Sequence, residues 1–178
     1  MTNTNVSPRL ATIRTRRPWP WAIGWALIPV LFAAIGFGYA QSQQFDDRRT
    51  YLATAAAFSE EIWYRGIVMA TLRQRSRRTA IVGSAVIFGV LHLANLFGGA
   101  SPLYAGLQLA FAALFGLVAA LVVEHSGSLW PAIAWHFAHD AITYVGGDAL
   151  NATTLAVLAV EVVVLAAYAG VLWRRLPA

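Results

Sequence analysis

Long apolar runs alternate with short polar breaks along this chain, and the breaks carry turn-forming residues. Residues 21–40 supply the ~20 apolar residues that a bilayer-spanning helix needs. Residues 79–97, 103–123 and 154–173 are further runs of this kind, and 129–144 is a shorter one. Residues 51–72 follow the same helical pattern but are interrupted by Glu60, Glu61 and Arg65. Gly98-Gly99 with Pro102, Ser126-Gly127-Ser128 and Gly146-Gly147 separate the runs, as turn residues do. Ser128 is placed to cap the helix after it, with Pro131 in the first turn, where a missing N–H is tolerated. The pattern predicts an all-α fold, a polytopic membrane helix bundle of about six transmembrane helices. Residues 1–20 are polar and contain Pro8, Pro18 and Pro20, so they are expected to form an N-terminal tail. The remainder, 21–178, is expected to be a single membrane domain.

Composition strengthens this picture. Of the 178 residues, 58% are apolar and only 12% are charged, too few to coat a soluble domain of that size. The chain has no cysteine, which excludes a disulfide scaffold, a thiolate metal site and a cysteine nucleophile. The 13 basic residues, all arginine, outnumber 8 acidic ones and give a net charge of +5. Most of them cluster between apolar runs, as topology signals do, so no nucleic-acid partner is expected. Arg9, Arg14, Arg16 and Arg17 in the tail, Arg73, Arg75, Arg77 and Arg78 after the second run, and Arg174 and Arg175 at the end fall on one side of a six-span topology. Only Arg48 and Arg49, beside Asp46 and Asp47, fall on the other. The positive-inside rule then places both termini in the cytoplasm of a multi-pass protein in the cell's inner (plasma) membrane. Arg16-Arg17 before the first run resembles an export signal, but the run exceeds the 7–15 residues of a signal h-region, so an uncleaved first helix is expected.

Charged side chains inside membrane spans are costly and point to function. Glu60, Glu61, Arg65, His92, His136, His139, Asp140 and Glu161 all fall inside apolar runs. Glu61 and Arg65 are four apart and share a helix face, where they can neutralise each other. Glu60 lies about 100° around the helix from Glu61 and has Tyr64 as its own i+4 neighbour. A carboxyl group left over in this way is either protonated or working. His92 lies deep in the third run with Phe88 one turn before it. His136 and Asp140 are again four apart, a pair able to orient an imidazole, hold a metal or satisfy two polar groups. His139 falls on a neighbouring face, at the rim. Glu161 stands alone in the last run, where it is expected either to be protonated and bonded to a backbone carbonyl or hydroxyl, or to meet Arg65, the intramembrane cation available to it.

Three motifs occur in order: Glu60-Glu61-Ile62-Trp63-Tyr64-Arg65 (EExxxR), Phe88-Gly89-Val90-Leu91-His92 (FxxxH) and His136-Phe137-Ala138-His139-Asp140 (HxxxN/D). Their order and separation resemble the CPBP family of intramembrane proteases, also called Abi, which groups CAAX-processing and bacteriocin-processing enzymes. The resemblance spans about 51–144 and leaves the first and last runs uncovered.

The resemblance implies an endopeptidase, a CAAX protease-like hydrolase working in a polar intramembrane cavity. By motif, Glu60 and His92 would activate water, and His136 and Asp140 would stabilise the oxyanion. Glu61 and Arg65, with Tyr64 and Phe88 in the same motifs, would support the site. The prenyl-endopeptidase branch has Asn where this chain has Asp140, so Asp140 would have to be protonated or serve by orienting His136. Some members are described as metalloproteases, and Glu60, His92 and His136 would then supply three ligands to a divalent metal such as zinc. A glutamate-activated water needs no metal, and no HExxH pair requires one. The expected partners are the lipid bilayer and a peptide or protein substrate in or at the membrane. A non-catalytic peptide-binding or immunity module on the same scaffold, or a small transporter using the buried acids, are the alternative functions.

Overall fold

A computed structural model describes residues 55–146 and 151–176, and every regular element among them is helical. The N-terminal tail, the expected first span at 21–40 and the Arg48-Arg49 pair lie outside the described residues. We number the described helices α1 (residues 55–73), α2 (Arg77–Leu91), α3 (Pro102–Ser126), α4 (Trp130–Gly146) and α5 (Ala152–Arg174).

Helix starts follow local chemistry. Ser76 Oγ accepts the Thr79 N–H at 3.0 Å at the head of α2, and Ser101 Oγ accepts that of Tyr104 at 3.2 Å at the head of α3. Asn151 Oδ1 accepts the Thr154 N–H at 2.9 Å ahead of α5. Each cap satisfies one of the backbone donors that a helix start leaves unpaired. Ser128 Oγ accepts the Trp130 N–H at 3.3 Å, the role expected of it. Gly127 adopts φ 68°, the left-handed conformation that closes α3 and favours glycine.

Two elements depart from the uniform helices predicted by the apolar pattern. In α1 the turns at Ile62–Val68 are π-helical, so the Met69 N–H reaches back to the Tyr64 carbonyl. Such wide turns are rare and concentrate at functional sites. The expected third run is an α-helix only to Leu91 and continues as a 3-10 turn over His92–Leu96. His92 therefore stands at a helix end, not deep within a helix.

The segments Arg77–Leu96, Pro102–Ser126 and Ala152–Arg174 are long and apolar enough to cross a membrane. The charged motif makes α1 less apolar, and α4, with 17 residues, falls short of the ~20 that a span needs. Of the five expected spans inside the described residues, three thus meet the length and hydropathy of a membrane crossing.

α2 and α3 pack most closely, and small residues allow it. A Cβ on Gly89 would lie 2.7 Å from Ala113 Cβ and 2.9 Å from the Leu109 carbonyl oxygen. The core around this contact contains Met69, Ile81, Phe88, Phe115, Val118 and Leu121. At the far end of the bundle Glu124 of α3 ties two helices together, pairing with Arg73 of α1 and, at 3.1 Å, with Arg77 of α2. His125 Nε2 donates to the Leu172 carbonyl of α5 at 2.9 Å, and Arg78 lies over Trp173. The outer face of α5 leaves Val157, Val160, Val163 and Val164 exposed, as a lipid-facing helix does.

Gly89→Val should lower the melting temperature in detergent, at an expected cost of ~1–3 kcal/mol from overpacking. Gly106→Ala on α3, with open space at its Cβ, should leave stability unchanged or raise it by up to ~1 kcal/mol. A thermal unfolding series of the two variants checks both, and an unaffected Gly89→Val would contradict the close α2–α3 contact.

Candidate active site

Glu61 is fully buried, and so is the guanidinium of Arg65 one turn later. A carboxylate away from water must find donors within the protein. Glu61 Oε1 accepts one from Arg65 Nη1 at 2.8 Å and a second from His136 Nδ1 of α4, also at 2.8 Å. The other edge of the pair makes fewer contacts: Glu61 Oε2, Arg65 Nε and Arg65 Nη2 find no hydrogen-bond partner among the described residues. The Arg65 guanidinium instead lies 4.4 Å from the centre of the Phe88 ring, a cation–π contact that desolvation strengthens. Gly116 of α3 makes room for this arrangement, since a Cβ there would come within 3.2 Å of Arg65 Nη2 and 3.1 Å of Phe88.

Phe88 is the spacer of the site. Its ring meets Tyr64 edge-on at 4.9 Å, His92 at 4.6 Å and His136 at 5.8 Å, which brings α1, α2 and α4 to one point. Phe115 stacks on Trp135 at 4.0 Å and packs against His136 from α3. Both imidazoles are held at fixed angles by these rings.

The hydrogen bonds of the two histidines determine which nitrogen carries the proton. A carbonyl only accepts, so His92 Nδ1–H donates to the Phe88 carbonyl at 2.8 Å and its Nε2 keeps a lone pair in the neutral ring. His136 Nδ1–H donates to Glu61, so its Nε2 carries a proton only in the imidazolium form. That Nε2 faces two acids, Glu60 Oε2 at 3.8 Å and Asp140 Oδ2 at 3.6 Å. Both distances exceed a hydrogen bond and leave room beside the nitrogen.

These groups surround a cavity of about 850 Å³ lined by Glu60, Tyr64, His92, His136 and Asp140. The four residues predicted to be catalytic and the supporting Tyr64 thus line one space, and the other supporting residues, Glu61, Arg65 and Phe88, pack against them. The sequence reading missed other residues of the lining. Asn95, Tyr104, Gln108 and Thr143 also line the cavity, and Asn95 Nδ2 donates to Gln108 Oε1 at 2.8 Å. A signal was present, because Gln108 interrupts an otherwise apolar run.

Two expectations need correction, and of the two roles left open for Asp140 one passes to another residue. His136 is oriented by Glu61, whose carboxylate takes the Nδ1 proton, while Asp140 stands opposite Nε2. His139 is not a rim residue; it stacks on Phe111 and packs against Phe115, both at 5.2 Å. Glu161 does not reach Arg65; its carboxylate lies 3.8 Å from His139 Nδ1. For Glu161 the physical reason is that Arg65 is already enclosed by Glu61 and Phe88. Among the described residues no set of three or more His, Asp or Glu side chains is arranged to hold a metal ion. Glu60, His92 and His136 therefore do not fit a three-ligand zinc site.

Comparison with known proteins adds one match. The sequence model of the family described as type II CAAX prenyl endopeptidase Rce1-like matches residues 48–142. No curated protein and no solved structure matches the chain.

Glu61→Gln removes the charge that compensates a buried guanidinium, and such a broken pair costs ~3–5 kcal/mol. Arg65→Met alone should be similarly damaging, while the double variant should cost less than the sum of the singles. Urea or thermal unfolding of all four proteins in detergent measures the coupling, and strict additivity would contradict the pairing.

Proposed function

The chain belongs to the Rce1-like family of type II CAAX prenyl endopeptidases, and we propose that it is an intramembrane endopeptidase acting on membrane-associated peptides or proteins. The observation that carries this reading is the meeting of Glu60, His92, His136 and Asp140, from three different helices, around one cavity. The apolar helices around them supply a low-dielectric setting, in which preorganised donors and acceptors act most strongly.

In this reading water occupies the cavity between Glu60 and His92. The Glu60 carboxylate accepts one water proton and the His92 Nε2 lone pair accepts a hydrogen bond from the other. Two acceptors on one water direct its lone pair at the peptide carbonyl carbon. As the C–O bond forms, Glu60 takes the proton and the carbonyl oxygen becomes an oxyanion. His136, as imidazolium, donates Nε2–H to that oxygen, while Glu61 holds the opposite edge of the ring. Asp140 stands beside the same nitrogen and adds a second donor in its protonated form. Collapse of the intermediate breaks the C–N bond, and the Glu60 proton passes to the departing amine. Tyr64 and Phe88 fix the angles of these groups. The same reading keeps the enzyme in the plasma membrane with both termini cytoplasmic, in accord with the positions of its arginines.

Two variants test the reading. Glu60→Gln keeps the shape but not the base, and loss of such a group costs ~10²–10⁴-fold in rate. Purified wild-type and Glu60→Gln proteins in proteoliposomes, incubated with a solubilised membrane proteome, should differ in new peptide termini, which only the wild type generates. Equal termini from both would overturn the assignment. Asp140→Asn can still donate to an oxyanion and should lose less than the ~10²-fold that removal of one donor costs. Asp140→Leu should lose at least that much in the same assay, and equal rates for the two would remove the donor role.

A further inference from the structure

The cavity and the surface arginines occupy opposite ends of the bundle. Arg73, Arg75, Arg77 and Arg78 surround the α1–α2 turn, and Arg174 and Arg175 join them at the end of α5. That these are the same end follows from two contacts, His125 to the Leu172 carbonyl and Arg78 over Trp173. Among the described residues the one other arginine is Arg65, buried against Glu61. The cavity instead opens among the C-terminal end of α2, the 98–101 turn and the start of α3. His92 stands fifteen residues beyond Arg77, hence ~22 Å along the helix axis at about 1.5 Å per residue. This is roughly three-quarters of a hydrocarbon core that is ~30 Å thick.

Arginine-rich ends of short loops stay in the cytoplasm. We infer that the cavity opens to the non-cytoplasmic side of the membrane, and that the substrate is a polypeptide segment presented at the outer leaflet after translocation. The border of the opening supports access from the lipid. Phe97 and Leu103 are 96% and 68% exposed on either side of the turn that lines the cavity. Apolar side chains placed there suit the membrane interface and a substrate that arrives along it, not one that dissolves in bulk water. A cytoplasmic segment, lipid-modified or not, would meet the arginine end, where Glu124 pairs with Arg73 and Arg77.

This inference rests on the endopeptidase reading for its substrate, and on the arginine distribution and the geometry for its side of the membrane, so its test has two parts. The chain has no cysteine, which allows single reporters. Ser101→Cys at the opening, Thr153→Cys at the head of α5 and Gln74→Cys in the arginine-rich turn are expressed separately in intact cells. A membrane-impermeant maleimide should label positions 101 and 153 directly and position 74 only after permeabilisation. Because Ser101 caps α3, Thr153→Cys reports the same side should the first variant fail to fold. Labelling of position 74 from outside, or protection of 153 until permeabilisation, overturns the inference. Peptide termini are then compared between cells expressing the wild type and Glu60→Gln. Glu60-dependent termini should map to non-cytoplasmic or outer-leaflet segments of their parent proteins. Glu60-dependent termini in cytoplasmic segments overturn the inference and leave the endopeptidase reading standing. No Glu60-dependent termini, with labelling as expected, overturns the endopeptidase reading and the substrate with it.

Discussion

One carboxylate oxygen, Glu61 Oε1, constrains the arrangement of the site. It accepts from Arg65 on its own helix and from His136 on α4, both at 2.8 Å, in a place with no access to water. A buried ion pair of this kind contributes little net stability, because desolvating both charges offsets their attraction. Its consequence is specificity. Neither group has another way to be satisfied, so α1 and α4 can meet only where that oxygen, the guanidinium and the imidazole coincide. The π-helical turns at Ile62–Val68 belong to the same constraint, since they contain Arg65 and immediately follow Glu61.

Aromatic and small residues translate this constraint into a working geometry. Phe88 lies against the guanidinium on one side and both imidazoles on others, so a single ring sets the spacing of three helices. It reaches that position because Gly89 lets α2 approach α3 and Gly116 leaves space for Arg65 beneath it. The result is a division of labour between adjacent glutamates. Glu61 turns inward and is consumed by structure, whereas Glu60, about 100° further round, faces the cavity with its carboxyl group partly open. Adjacent positions on a helix cannot serve one side, and this chain uses both.

The two ends of the bundle differ for related reasons. At the arginine-rich end charges pair with Glu124 and helices close on one another. At the other end α2 gives up its α-helical turns at Leu91, continues as a 3-10 turn and leads into the Gly98-Gly99 turn. The separation of chain there leaves the cavity open, and it places His92 at a helix end where its Nδ1 reaches the Phe88 carbonyl.

Much of this was legible in the sequence. Among the described residues the apolar runs located the helices to within a few residues, save for the 3-10 turn that ends the third run, and helical spacing showed that Glu61 faces Arg65 and that Glu60 does not. The cost of charge in a bilayer singled out His92, His136 and Asp140, and the order of the three motifs gave the family. These follow from local geometry and from solvent, both of which are properties of a residue and its near neighbours. Tertiary structure alone decided which groups pair across helices. That Glu61 and not Asp140 holds His136, that Glu161 meets His139 and not Arg65, and that Asn95 and Gln108 join in the cavity lining all depend on how helices distant in sequence are rotated and packed. Gly89, Gly116 and Phe88 shape the packing of α2, α3 and the site, and no spacing along the chain encodes which face of one helix will meet another.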